Sequence, residues 1–258
     1  MINHKVFIPV ILFFTFFGIM ELDASFESTN LPQAIASSTS QAYVFDVHNV
    51  LVQKNARTFI CGGLGNFLEA GETFWQKARI IPQLLCASCD PRIWYEIYQL
   101  RKVKNKITES YFNILKKYGY SLAFKTLVAF SSNIFEDAPG VQEFLKNLQD
   151  QHYKLYLLSN IGPACYQDLS KKHPWLNTYF SHGNSINQTT VSGAYTVHKP
   201  QVAAYQQAYD FIKKTNPTLK PEHITFVDDK EKNLEPARKL DWKTLLFRSL
   251  DHLKNQLY

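Results

Sequence analysis

The chain has 258 residues, 45% of them hydrophobic and 14% aromatic, which suits a core-forming globular protein and excludes a disordered one. A formal net charge of +6 and a pI near 9.0 favour anionic partners such as phosphorylated substrates or membrane surfaces. Lys and Arg are scattered without blocks of like charge, so no nucleic-acid module is expected.

Met1 to Lys5 is a short cationic start, Val6 to Met20 is apolar, and Ala24 is a small residue at a plausible cleavage point. This is the tripartite pattern of a secretory signal peptide, assigned to residues 1–24. The apolar stretch falls short of the roughly 20 residues a spanning helix needs, and Pro9 and Gly18 interrupt it. The reading is an exported protein, periplasmic or secreted, with no stable membrane insertion once the leader is cleaved. Leu22 at the −3 position leaves an uncleaved membrane anchor as the alternative. Residues 25–41, rich in Ser, Thr, Asn and Gln, read as a flexible leader.

Tyr43-Val-Phe45 is β-prone and stops at Asp46, which predicts a buried parallel strand. From residue 53 to 137 the pattern changes. Pairs such as Phe74-Trp75, Ile80-Ile81, Ile93-Trp94 and Ile97-Tyr98 recur at helical spacing, broken by glycines and by Pro82 and Pro91. A mainly helical insert is expected there. Its aromatic residues Phe59, Phe67, Phe74, Trp75, Trp94, Tyr95 and Tyr98 are expected in its core, not in a substrate cage. Cys86-Ala-Ser-Cys89 lacks a second pair at zinc-finger spacing, so a local disulfide and two unpaired thiols both stay open.

Regular alternation begins after Pro139. Helices are predicted over 140–149, 166–171, 201–213 and 233–240, and strands over 154–158, 223–227 and 244–247. Strand–helix units of this kind predict an α/β fold: a Rossmann-like parallel sheet with helices on both faces. The core domain comprises 42–52 and 138–258, and 53–137 is the small helical domain inserted into it.

Three predicted strands end in polar residues: Asp46, Ser159-Asn160 and Asp228-Asp229. Ligands bind at the carboxyl ends of strands in an open parallel sheet. Carboxylates gathered there repel one another, so the cluster calls for a hard cation with oxygen ligands, and Mg²⁺ is the natural candidate. Lys199, before Pro200 and the next helix, can add a fixed positive charge. Taken singly, Ser159 and Asn160 would be a helix cap and Lys199 a surface lysine.

As an ordered set these segments resemble the haloacid dehalogenase (HAD) superfamily, whose members are aspartate-nucleophile hydrolases dominated by phosphatases. Phe45-Asp46-Val-His-Asn-Val-Leu51 resembles its first motif and Leu157-Leu-Ser159-Asn160 its second. His198-Lys199-Pro200 resembles the third, and Phe226-Val-Asp228-Asp229-Lys-Glu-Lys-Asn233 the fourth. The four come in order across residues 43 to 247, and the insert between the first two corresponds to a cap domain.

The resemblance implies a phosphomonoesterase acting on a small phosphorylated substrate. Asp46 is then the nucleophile that forms an aspartyl-phosphate. Mg²⁺ is held by Asp46, the His48 backbone carbonyl and Asp228, with Asp229 direct or through water. Ser159 and the Asn160 backbone donate to phosphoryl oxygens, and Lys199 stabilises charge. His48 stands where phosphatases of the superfamily carry a second, general acid/base aspartate, and Asn49 replaces a usual glycine. Three readings stay open for His48: acid/base work by its imidazole, a different reaction such as dehalogenation, or a HAD-fold binding or scaffold protein with little turnover.

Overall fold

The computed structural model describes residues 42–54, 83, 86–87, 89–102, 108–121, 128, 132, 134–180 and 197–257. The expected signal peptide and flexible leader lie outside the described residues, as do Phe59, Phe67, Phe74 and Trp75 of the insert. No described helix is long and apolar enough to cross a membrane.

Four parallel strands form the central sheet in the order β4-β1-β5-β6. They are β1 (Ala42–Phe45), β4 (Lys154–Leu157), β5 (Ile224–Asp228) and β6 (Lys243–Leu246). β1 is flanked on both sides: Phe45 registers with Leu157 of β4 and with Val227 of β5. Every residue of β1 and β5 is buried. This explains why these strands read as short apolar runs and not as alternations.

The two-residue period of the strands sorts their side chains into two cores. Tyr43, Phe45, Leu155 and Leu157 pack with Phe144, Leu145 and Leu148 of helix α3 (Val141–Asp150). The same core takes in α5 (Trp175–Tyr179) through Trp175 and Leu176, and α8 (Leu250–Leu257) through Leu253. Ala42, Val44, Tyr156 and Phe226 face the opposite way. They pack with Ala204, Tyr205, Ala208 and Ile212 of α6 (Val202–Thr215) and with Leu234 and Ala237 of α7 (Glu231–Arg238). The result is a three-layer α/β/α sandwich, the expected Rossmann-like architecture. Phe45 meets Phe144 and Phe180 edge-on, at centroid distances of 6.3 and 6.4 Å. Such pairs add about 0.5–1.5 kcal/mol each beyond area burial.

A second, two-stranded antiparallel sheet pairs β2 (Val52–Lys54) with β3 (Phe135–Asp137), Val52 opposite Asp137. The chain between them therefore leaves and rejoins the core through one ribbon. Its described helices are α1 (Pro91–Lys102) and α2 (Thr108–Lys117). Ile93 and Ile97 of α1 are buried at i,i+4 spacing, and the adjacent Ile114 and Leu115 of α2 are buried too. Trp94 is partly buried against the core, but Tyr95 and Tyr98 are 63% and 57% exposed. Those two tyrosines correct the expectation of a wholly internal aromatic set, because they project from the side of α1 opposite the isoleucines. Cys86 and Cys89 are both exposed and are not joined to each other by a disulfide.

Elsewhere the predicted elements are met within a few residues. α4 (Pro163–Lys172) starts earlier than expected, with proline in its first turn, and α7 starts two residues before Asn233. The ribbon β2–β3, α5 and α8 were not predicted.

Candidate active site

The site is assembled where β4, β1 and β5 end side by side. Ladder bonding continues one step past the strands: Leu158 N donates to Phe45 O and Asp46 N donates to Val227 O, both at 2.9 Å. These bonds lock Asp46, Ser159 and Asp228 to one level of the sheet.

Beyond Asp46 the chain makes a tight turn. Leu51 N and Val52 N both donate to Val47 O, at 3.0 and 3.1 Å, and this turn carries His48 and Asn49 before the ribbon begins. Asn49 has φ 62°, a left-handed conformation that glycine, Asn and Asp adopt at least cost. Its amide Nδ2 donates to Asp229 Oδ2 at 3.1 Å. The His48 ring is half-buried and stacks on Phe135 of β3, centroids 4.4 Å apart and planes 22° from parallel.

Lys199 is the electrostatic centre. It is 3% exposed, so the surface-lysine alternative fails. Its Nζ lies 2.9 Å from Asp46 Oδ1 and 2.6 Å from Asp228 Oδ2, and 5.4 Å from the centre of the Phe226 ring. Burial works against its charge, but the two aspartates outweigh that and hold its pKa above the ordinary lysine range.

Each aspartate is separately supported. Asp46 Oδ1 accepts from Val47 N at 2.8 Å, and the Ser159 hydroxyl also hydrogen-bonds the carboxyl. Burial would raise the Asp46 pKa, but Lys199, Ser159 and the nearby His48 bring it below the usual carboxylate value. Asp228 is fully buried. Its Oδ1 accepts from Lys230 N at 2.9 Å and Asn233 Nδ2 at 2.8 Å, and Asn233 O accepts from Tyr205 OH at 2.6 Å. Burial, together with repulsion from Asp46 and Asp229, pushes the Asp228 pKa up to about 6 despite Lys199. One lysine does not neutralise three neighbouring carboxylates.

Ligand-capable oxygens of Asp46, Asp228 and Asp229 lie within 4.8 Å of one another. Asp229 Oδ1 is buried with no hydrogen-bond partner. A hard, oxygen-seeking dication fits this donor set: all-carboxylate ligands, excess negative charge and one orphaned oxygen.

The second predicted motif serves a use the sequence reading missed. Helix α4 is capped by Gly162 without a side-chain bond, so Ser159 and Asn160 are not its cap. Asn160 instead clamps the main chain of Lys199: Nδ2 donates to Lys199 O at 2.8 Å, and Lys199 N donates to Asn160 Oδ1 at 2.9 Å. The structure thus brings together Asp46, His48, Ser159, Asn160, Lys199, Asp228 and Asp229. It adds Asn49, Phe135 and Asn233 as supports. Asn49 carried a sequence signal, as an αL-tolerant residue four positions past the end of β1; Phe135, 89 residues after Asp46, carried none.

No protein-family model matches the sequence, and no curated protein matches it. Solved structures do resemble it. A HAD family enzyme from Bacteroides thetaiotaomicron is 17% identical over 84% of this chain and 99% of its own, with a TM-score of 0.51. A protein from Porphyromonas gingivalis described as a HAD-like family hydrolase is 20% identical over 85% of this chain and 98% of its own, TM-score 0.51. The HAD-hydrolase YfnB from Bacillus subtilis, bound to magnesium, is 16% identical over 85% and 99%, TM-score 0.52. The B. thetaiotaomicron enzyme has also been solved as a magnesium complex, 16% identical to this chain at a TM-score of 0.51.

Proposed function

We propose, from the HAD-like hydrolase fold of this chain, that it is a Mg²⁺-dependent phosphomonoesterase working through an aspartyl-phosphate on Asp46. The observation that carries the reading is the convergence of Asp46, Asp228 and Asp229 with the buried Lys199 at three adjacent strand ends. That the Bacillus and Bacteroides proteins were solved with magnesium supports the choice of ion.

Mg²⁺, held by Asp46 and Asp228, with Asp229 direct or through water and the His48 carbonyl, would offset the phosphate's charge and align it for in-line attack. The low pKa of Asp46 keeps its carboxylate ionised and ready to attack phosphorus. As the phosphorus–Asp46 bond forms, the bond to the leaving alkoxide breaks, and His48 as imidazolium gives that oxygen its proton. Neutral His48 then takes a proton from water, whose oxygen displaces Asp46 and releases phosphate. An imidazole titrates near pH 6.5 and can serve both steps at neutral pH. Lys199 offsets the charge gathering on the transferred group, while Asn160 keeps its backbone in place. Ser159 and the Asn160 N–H are the phosphoryl-oxygen donors in this scheme, with the Ser159 hydroxyl moving off Asp46 to reach the substrate.

Purified protein lacking residues 1–41 should hydrolyse an aryl phosphate with Mg²⁺, and Asp46→Asn should reduce this to background. Wild type no faster than Asp46→Asn across a broad panel of phosphate esters would refute the proposal in favour of a HAD-fold binding protein. Activity on a haloacid and on no phosphate ester would favour the dehalogenase alternative. Residues 1–24 complete the proposal as an export signal, tested by N-terminal sequencing of the secreted protein for cleavage after Ala24.

A further inference from the structure

The turn after β1 carries one contact that its backbone conformation does not require. Asn49 sits at φ 62°, and its own N–H donates to Val52 O at 2.7 Å, which closes the turn. A glycine would satisfy both conditions. The side chain does more. Its Nδ2 reaches a residue 180 positions away and donates to Asp229 Oδ2 at 3.1 Å.

That bond divides the two oxygens of Asp229. Oδ2 is tied to the amide, and Oδ1 is buried with no hydrogen-bond partner. A partly buried carboxylate without such a tie can rotate about its terminal torsion, and ordering it costs free energy when a ligand binds. An amide is well suited to the task. It donates a neutral hydrogen bond and leaves the full negative charge for a cation, whereas a lysine or arginine in its place would compete with that cation.

We infer that Asn49 is a positioning residue for the divalent cation, presenting Asp229 Oδ1 to it. The inference rests on the metal-dependent reading of the site given above. Removing a group that orients a metal ligand weakens metal binding by roughly 10- to 100-fold. The effect should be absent once the ligand itself is gone.

The test is calorimetric titration with MgCl₂ of wild type, Asn49→Gly, Asp229→Ala and the double variant, with the rise in melting temperature on adding Mg²⁺ as an independent readout. Glycine accepts the positive φ without strain, so Asn49→Gly deletes the amide and spares the turn. Asn49→Gly is expected to bind Mg²⁺ roughly tenfold more weakly than wild type, and the double variant to bind it no more weakly than Asp229→Ala. Equal affinities for wild type and Asn49→Gly would overturn the inference and leave the metal-dependent reading standing. So would additive losses in the double variant, because Asn49 would then act by some route other than Asp229. A wild type that binds no Mg²⁺ would overturn both.

Discussion

The ring of His48 rests flat on the ring of Phe135, with centroids 4.4 Å apart and planes 22° from parallel. The ribbon brings the two residues together: His48 lies just before β2, and Phe135 is the first residue of β3. The β2–β3 ladder fixes one against the other, so the ribbon that carries the insert also sets the plane of the proposed acid/base. Phe135→Leu keeps an apolar side chain and removes the flat face. It is expected to lower kcat on an aryl phosphate by about ten- to a hundredfold, the scale of a misplaced catalytic group. Mg²⁺ affinity should change little, since Phe135 meets the His48 ring and not the backbone carbonyl proposed as a ligand. Unchanged kcat would mean that stacking does not orient the imidazole.

Lys199 makes a prediction about stability as well as rate. Its Nζ bridges Asp46 and Asp228 in a site nearly closed to solvent. Breaking a buried ion pair by removing one partner costs about 3–5 kcal/mol, because the other charge is left uncompensated. Lys199→Met should therefore lower the urea midpoint sharply in chelator, and Mg²⁺ should restore part of the loss. Equal losses with and without Mg²⁺ would argue that no cation reaches the carboxylates. Lys199→Arg should not rescue turnover, because a planar fork cannot replace a compact ammonium between two oxygens at 2.9 and 2.6 Å.

Asn160 is expected to act through Lys199. Asn160→Ala loses both bonds to the Lys199 main chain and leaves those backbone groups in a part-buried place. Unsatisfied groups of this kind cost about 1–3 kcal/mol. Asn160→Asp retains an acceptor for Lys199 N but loses the donor to Lys199 O, so its loss in thermal unfolding should be intermediate. An Asp variant as damaged as Ala would locate the important bond at Lys199 O alone.

What could be read from the sequence follows the physics of each segment. Phe45-Asp46, Leu158-Ser159 and Val227-Asp228 are legible because a strand buried on both faces is largely apolar, and the polar residue that closes each run marks its carboxyl end. The supports of the site are not legible in that way. Val52–Lys54 and Phe135–Asp137 are three residues each, too short for any period, and pair only across the whole insert. The same non-locality hides the Asn160–Lys199 clamp and the Asn49–Asp229 bond, whose partners are 39 and 180 residues apart. Chemistry-bearing residues were visible one at a time. The contacts that orient them depend on the fold.

Asp137, the last residue of β3, joins the ribbon to the core. Its Oδ1 lies 2.5 Å from His173 Nδ1 and accepts from Trp175 Nε1 at 2.9 Å, while Oδ2 accepts from Gln142 Nε2 at 2.7 Å. Burial would raise its pKa, but Gln142, Trp175 and His173 more than offset that and hold it below the ordinary value of 3.8. The folded state thus binds the proton more weakly than the unfolded chain does. The stabilisation is fully present above the unfolded-state value and is lost as pH falls through the folded-state one. Asp137→Asn should therefore be less stable than wild type near neutral pH, and the gap between their urea midpoints should close as pH drops below 3.8. The contact is partly open to solvent, so the gap should be modest and should shrink in high salt. A gap that stays constant or widens toward low pH would mean that the charge of Asp137 does not hold the ribbon to the core.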